Sequence, residues 1–417
     1  MTLRERKGRE LAARGSLVWT GTHWNVPSQS GTNVYIVRID GVDSPTCTCA
    51  DFEVNGQRCK HIYAVETHLR QLVLLEAHRL AESSEPAKEA IVARPTQEQE
   101  ANAPRYRQDW PAYNAAQVNE KALFQSLLHD LCAGITEPSY VFGRPRLPLR
   151  DMLFSATFKV YSTVSTRRFM CDLADAQAKG YLSRTPHYNS IFNYFETPDL
   201  TPLLRALIEE STLPLRAIET RFAVDSTGFS TCRYARWYDA KYGEERERRE
   251  WIKAHVMCGV ITNIVTSVEI TEHTVHDSLP FKPLVAATAR NFEIEEVTAE
   301  KAYSSRKNLE QVDRLGGVAY IPFKSNSTGT ARGSGLWNRL YHYYHLHHET
   351  FLEHYHRRSL VESTFSMIQA KFGASLRSKS DTAQVNELLC KVLCHNICVL
   401  IQSMYELGIE ADFSQTA

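Results

Sequence analysis

Phe222–Ser230, FAVDSTGFS, is the stretch on which the fold assignment turns. An apolar run of Phe222, Ala223 and Val224 ends in a carboxylate at Asp225, and hydroxyls and a glycine follow at once. As a buried strand, it delivers one acid to the edge of a sheet, within reach of a cation or substrate. Taken alone, the same residues also suit an aspartate that caps a turn. The rest of the chain bears on the choice.

Downstream, 244–250 (EERERRE) has the character of a solvated charged face. Two strand-like runs, 251–259 (WIKAHVMCG) and 264–271 (IVTSVEIT), flank the turn-prone pair Thr262–Asn263. A helical segment runs from Phe281 to about Arg290, and 293–303 (EIEEVTAEKAY) is a strand ending in acids. A helical pattern through Leu315, the strand 316–323 (GGVAYIPF), a polar loop and a long helical region complete the series. This order of elements is that of a ribonuclease-H-like fold, an α/β class with a mixed sheet flanked by helices. In that fold the first and fourth strands lie side by side, and a late helix brings a third acid over their ends.

The late helix reads YHRRSLVESTFSMIQAKFG (355–373). Its Tyr355-x2-Arg358-x3-Glu362 resembles the DDE transposases of bacterial and archaeal insertion sequences, in the group marked by a tyrosine-arginine-glutamate-lysine signature. VDST at 224–227, HDS at 276–278 and KAYSSRKN at 301–308 look like the same group, and the resemblance covers roughly Leu147 to Ile401. It implies an enzyme that hydrolyses a phosphodiester at the end of a mobile element and then joins the freed 3′-hydroxyl to target DNA. Both steps are in-line displacements, which two divalent ions about 3.5–4 Å apart assist. Hard oxygen ligands select Mg²⁺ or Mn²⁺ there. By the resemblance Asp225 bridges the ions, Glu362 ligates one of them, and Arg358 holds a DNA phosphate, with Tyr355 beside it.

Two positions depart from the family pattern. Where the family has an aspartate before K-A-Y, this chain has Glu300; the signature lysine, seven residues after Glu362, is replaced by Gln369. Glu300 is assigned as the second ligand, and Asp277, which follows the third strand, as an auxiliary acid expected farther from Asp225. Lys371 lies two residues past Gln369, turned about 200° around the helix. Lys253 and His255 alternate along the second strand, share one side of the sheet and, by the resemblance, lie near the site. Lys253, Tyr355, Arg358 and Lys371 join the expected DNA contacts. The alternative function is a catalytically weakened or decayed transposase that only binds DNA, and a third is a ribonuclease-H-like nuclease without strand transfer.

Ahead of this core, 15–45 reads as small β-structure, and Cys47-Thr-Cys49 is followed by Cys59-Lys-His61. Three thiols and an imidazole make a complete tetrahedral set for structural Zn²⁺. The C-x-C…C-x-H spacing resembles the SWIM zinc finger, with C-x-H on the first turn of a helix from His61. Asp51 and His68 are close in sequence but unnecessary as ligands. Cys390, Cys394 and Cys398, at four-residue steps, read instead as a buried helix face.

The expected domains are the zinc finger with its helix (1–80), a flexible linker (81–118), a helical region resembling helix-turn-helix DNA readers (119–215), the catalytic domain (216–405) and a tail (406–417). Within the helical region Arg144, Arg146 and Arg150 crowd a proline-broken arm, Gly180 is placed to end a helix, and Thr185–Pro186 offers an N-cap with proline next. Arg167 and Arg168 are the candidate DNA contacts, although a helical spacer with a basic face fits the same pattern. His342, His345 and His348 recur at helical spacing and read as a polar face near DNA phosphates. The 48 Lys and Arg residues balance 48 Asp and Glu, so DNA binding needs local clusters rather than an overall field. Ten cysteines, no secretory pattern and no run near the ~20 apolar residues of a membrane span point to a cytoplasmic, nucleoid-associated protein. Its partner would be double-stranded DNA, both terminal repeats and target, bound as a homodimer.

Overall fold

Phe222, Ala223 and Val224 are fully buried, and the stretch they begin is a strand rather than a capped turn. The computed structural model describes residues 3–14, 16–28, 33–39, 45–69, 109–137, 147–231, 251–329, 334–411 and 413. Arg144, Arg146, 244–250 and 70–108 of the expected helix and linker lie outside the described residues.

In chain order the first elements are α1 (Leu3–Ala13), β1 (Val18–Trp19), β2 (Trp24–Pro27), β3 (Val34–Arg38), β4 (Thr46–Cys47), α2 (Ala50–Asn55) and α3 (60–69). Five helices follow: α4 (Trp110–Ala133), α5 (Leu149–Ser162), α6 (Thr166–Ala178), α7 (Tyr188–Phe195) and α8 (Leu200–Glu210). Next are β5 (Arg221–Ser230), β6 (Trp251–Gly259), β7 (Val265–Glu272), α9 (Phe281–Thr288), β8 (Glu296–Ala299), α10 (Arg306–Arg314) and β9 (Val318–Tyr320). The chain closes with α11 (Gly335–Leu346), α12 (His348–Tyr355), α13 (Ser359–Phe372) and α14 (Asp381–Leu407). This is a mixed α/β fold, with strands hydrogen-bonded in the order β1-β2-β3-β4 in one sheet and β7-β6-β5-β8-β9 in the other. The first and fourth strands of the larger sheet are neighbours, as the ribonuclease-H-like order requires.

The chain divides into two compact units, Met1–Pro95 with Thr298–His356, and Thr96–Val297 with Arg357–Ala417. In the first, the four short strands and α1–α3 enclose Trp24, Val26, Val37, Ile62 and Val65. Gly8 lets α1 approach α3: a Cβ there would meet Tyr63 Cβ at 2.5 Å and Lys60 O at 2.8 Å. His342 is buried, its ring edge on Trp19, and burial pushes its pKa down to about 4. It is therefore a packed neutral ring, not part of the polar face expected from its spacing.

In the second unit β5, β6 and β7 form an antiparallel meander with Asp225 opposite Val256 and Ser226 opposite His255. The β6–β7 turn uses Asn263 at φ +65°. It is held by the buried carboxylate of Glu219, which accepts from the N–H groups of Ile261 (3.1 Å) and Thr262 (2.6 Å). Gly259 makes room, since a Cβ there would lie 2.2 Å from Glu219 Cδ. Gly180 ends α6 at φ +87° as expected, but Thr185 does not cap α7. Its N–H donates to Gln177 Oε1, and His187 is the cap, its Nδ1 accepting from Asn189 N–H. α4 begins at Trp110, inside the stretch read as linker, because Asp109 caps it and Pro111 suits its first turn. Beyond α14, Phe413 returns to the core from the expected tail.

α14 is apolar and long enough to cross a membrane, yet 78% of its most apolar window is buried inside the protein. It packs against α4, α5, α7, α8, α13 and β7, so it is a core helix, apolar because it is surrounded. Its Cys390 and Cys394 are buried there and Cys398 packs at the margin. Its Asn396 accepts from Val265 N–H (2.9 Å) and donates to Val265 O (2.8 Å) and Ser211 Oγ (3.0 Å). Asn396→Leu keeps the volume but strands two backbone groups of β7. We expect a loss of about 2–4 kcal/mol, seen as a lower urea midpoint at unchanged slope.

Candidate active site and metal centre

Consecutive residues of a strand point to opposite faces, and β5 uses this to build two polar groups back to back. Asp225 shares its face with Val256 and Val268, on the side where α13 and α14 pack. The helix α13 buries Val361, Thr364, Phe365, Ile368 and Phe372 and leaves Glu362 outward. Arg358, at its N-cap, donates from Nη1 to Asp225 Oδ2 (2.8 Å) and from Nη2 to Glu362 Oε1 (2.6 Å). Asp225 and Arg358 are largely buried, at 15% and 16% side-chain exposure, whereas Glu362 is 57% exposed. The guanidinium thus bridges the first and third acids. Asp225 Oδ1 also accepts from Ser226 N–H at 2.8 Å, which fixes its rotamer.

The other face carries Ser226, Lys253, His255 and Asp277. Asp277 Oδ1 accepts from Ser226 Oγ (3.1 Å) and Lys253 Nζ (3.0 Å), and Lys253 also donates to Val275 O (3.2 Å). Asp277 is therefore closer in space to β5 than its place after the third strand suggests, but on the face opposite Asp225. His255 is fully buried; desolvation drives its pKa down to about 4 although Asp277 pulls it upward. The ring is neutral near pH 7. Its Nε2 meets Thr271 Oγ1 at 2.9 Å, and its Nδ1, 4.0 Å from Asp277 Oδ1, makes no hydrogen bond. Ser226, which joins Asp277 to the first strand, was not singled out from sequence; only its place beside Asp225 could have marked it.

The remaining candidates fall elsewhere. Glu300 follows β8 and begins the 3-10 turn Lys301–Tyr303, and Tyr355 packs on Phe351 near the end of α12; both belong to the first unit. Lys371 is turned away from Glu362, as the helix geometry demands, and is held by Glu120 of α4 and by Cys398 Sγ (3.3 Å). Arg167 and Arg168 are exposed at the start of α6, Arg167 lying 5.2 Å over the Tyr188 ring.

In the first unit Cys47, Cys49, Cys59 and His61 are all buried, with ligand atoms within 4.8 Å of one another. His61 presents Nδ1, 3.7 Å from Cys47 Sγ and 3.8 Å from Cys59 Sγ, and its ring lies tilted against Tyr35, centroids 4.5 Å apart. Cys47 comes from β4, Cys49 opens α2, and Cys59 and His61 lie at the start of α3. Hydrogen bonds from Cys47 and His61 hold the Cys59 thiol far below its usual range, at about 4. Three soft sulfurs and one imidazole nitrogen, buried and convergent, fit zinc. Asp51 is not part of the set, being paired with Arg4 at 2.7 Å. The Asp225 and Glu362 oxygens are hard donors already gathered around a positive charge, which suits a divalent ion such as Mg²⁺.

Residues 216–397 match the family model described as "Transposase DDE domain", and residues 35–70 match the "SWIM zinc finger". No curated protein matches the chain. The chain therefore carries a DDE transposase domain and, ahead of it, a SWIM zinc finger whose buried Cys/His tetrad offers four ligands to a metal ion.

Purified protein should hold one tightly bound zinc through that tetrad. Cys59→Ser should release it and raise hydrogen exchange in 3–69, while the β5–β7 meander stays protected, because structural zinc contributes folding energy directly. A metal-free protein with a fully protected N-terminal region would contradict the assignment.

Proposed function

We propose that the protein is a transposase that binds the ends of a mobile DNA element and catalyses metal-dependent phosphodiester cleavage and strand transfer. The observation that carries this is the convergence of Asp225, from β5, and Glu362, from α13, on the single guanidinium of Arg358. Two carboxylates from distant parts of the chain meet there on the same side of the sheet. Asp225, Glu300 and Glu362 are the proposed ligands of Mg²⁺ or Mn²⁺, which when bound neutralises charge on the attacking and leaving oxygens at phosphorus. Arg358 then exchanges its carboxylate partners for a DNA phosphate, a charge-assisted contact of similar geometry. Lys253 and Tyr355 are further proposed DNA contacts, and Asp277, on the reverse face of β5, holds Lys253 and Ser226 in place. Arg167 and Arg168 present an exposed basic patch at the start of α6 for the duplex backbone. The DNA would be bound by two copies of the chain.

A second reading, a weakened or decayed enzyme that still occupies DNA ends, is favoured by Glu300 and Gln369. A glutamate extends its carboxylate one methylene beyond an aspartate, and a misplacement of ~1 Å costs about 100-fold in rate.

Cleavage of the DNA that flanks the gene, in Mg²⁺ or Mn²⁺, separates the two readings. Asp225→Asn and Glu362→Gln should abolish cleavage with DNA binding retained. Glu300→Asp should raise it, most in Mg²⁺, whose octahedral geometry is strict, and Gln369→Lys should raise it again. A silent Glu300→Asp together with a dead Asp277→Asn would move the second ligand to Asp277. Wild-type protein inert on correct ends would leave only the binding role.

Arg167→Ala with Arg168→Ala should weaken binding and lower the salt slope by about 1 per lost phosphate contact. Unchanged binding and slope would make the helical region a spacer.

A further inference from the structure

Away from the carboxylates, the second unit holds a cavity of about 500 Å³ between the α5–α6 junction, α7 and the segment that joins α13 to α14. Four cationic side chains line it, Lys159, Arg167, Arg377 and Lys391, against one carboxylate, Glu387. That carboxylate is committed to backbone, accepting from Arg377 N–H (2.9 Å) and Ser378 N–H (2.8 Å). Lys391 is tied to Gly373 O (2.7 Å) and Ser375 O (2.9 Å). Lys159 is different. It is only 8% exposed, yet its ammonium makes no hydrogen bond or ion pair among the described residues and sits 5.9 Å over the Phe169 ring. An ammonium that opens onto a cavity with no carboxylate bound to it offers an anion a charge-assisted contact.

Other features of the cavity agree. Ser165 and Thr166, at the start of α6, are on the wall, and Ser165 makes no side-chain cap, so the first N–H groups of the helix lack an intrahelical or capping partner there. Beside the cations lies an apolar wall of Phe192, Phe195 and Phe372, of which Phe192 is 52% exposed, unusual for a phenylalanine with no partner to cover it. The volume is within the ~300–1,000 Å³ range of small-molecule sites and exceeds what one phosphate group fills. Desolvation, helped by the charge of Arg377, lowers the pKa of both Lys159 and Lys391 to about 8, and Glu387 counteracts this only in part.

We propose that this cavity is a second, metal-independent binding site, for a nucleotide whose phosphate lies between Lys159, Arg377 and the start of α6 and whose base lies against Phe192. The nucleotide comes either from a DNA strand or from the free pool; the recognition chemistry is the same. The site is distinct from the carboxylates of β5 and α13 and does not depend on cleavage.

The full-length protein, in buffer without added divalent metal, is titrated with thymidine 5′-monophosphate, thymidine, inorganic phosphate and a 5′-phosphorylated single-stranded oligonucleotide. We expect the monophosphate to bind, thymidine not to bind, and phosphate to bind more weakly and compete. Lys159→Met, which keeps length and burial, should weaken the monophosphate at least tenfold, whereas Phe192→Ala should weaken it and leave phosphate unchanged. Backbone amides of 163–168 should gain hydrogen-exchange protection on binding in the wild type, a readout that needs no variant. Oligonucleotide binding that Lys159→Met weakens, without monophosphate binding, identifies a DNA strand as the source. No saturable binding of either nucleotide, or binding indifferent to Lys159→Met in a folded variant, overturns the proposal. Inert DNA ends in the cleavage assay would leave it standing.

Discussion

Everything in the second unit is arranged around α14, and the constraint it obeys is that a surrounded helix has no solvated face for polar groups. Each polar residue on it must therefore find a partner in whatever packs there. Asn386 takes Phe195 O (2.9 Å) and Thr197 O (3.1 Å) from the end of α7 and Thr201 Oγ1 (2.7 Å) from α8. Lys391 takes the carbonyls after α13; His395, held neutral by burial, meets Asn263 O at 2.9 Å; and Asn396 completes Val265 of β7. Apolar faces alone tolerate sliding, whereas these bonds fix register. Through them the same helix positions the helical region, the β6–β7 turn and the segment after α13.

Given that frame, the geometry of the acids follows from charge. Asp225 is mostly buried, and a carboxylate without a counter-charge there would lose much of its hydration. Arg358 supplies the charge from the N-cap of α13, and its planar fork reaches Glu362 in the first turn of that helix. The pairing docks the helix start on the strand end, which hydrophobic contacts along Val361–Phe372 cannot do alone. The reverse face of β5 solves a similar problem differently: Lys253 neutralises Asp277, while His255 avoids charge altogether.

The legible part of this was the periodic and the covalent. Strand β5, the 251–259 and 264–271 hairpin with its Asn263 turn, the buried cysteine face of α14 and the Cys47, Cys49, Cys59, His61 set all follow from local pattern and ligand count. What sequence hid was pairing across long separations. Nothing near Asp277 shows that Ser226 will hold it, and nothing near Lys371 shows Glu120, 251 residues away. The N-cap at His187 rather than Thr185 was lost for the same reason, since Gln177 claims the threonine. A signal for the cavity was present in VNELLCKVLCHNICVLI, where Lys391 interrupts a largely apolar run, although the accompanying Lys159 lies on another helix.

The zero net charge of the chain conceals a sorting of its cations that bears directly on DNA. A lysine or arginine already matched by a carboxylate offers a phosphate little new attraction, because the exchange trades one ion pair for another. Lys121 is matched by Asp172, Arg205 by Glu269, Arg357 by Glu296 and Lys371 by Glu120. Among the described residues, Arg167 and Arg168 at the start of α6 have no carboxylate partner, and Lys159 lines the adjoining cavity. The N-terminus of that helix adds to the field of these cations. Neutrality overall and local attraction are compatible because acids such as Asp172, Glu269, Glu296 and Glu120 are paired elsewhere.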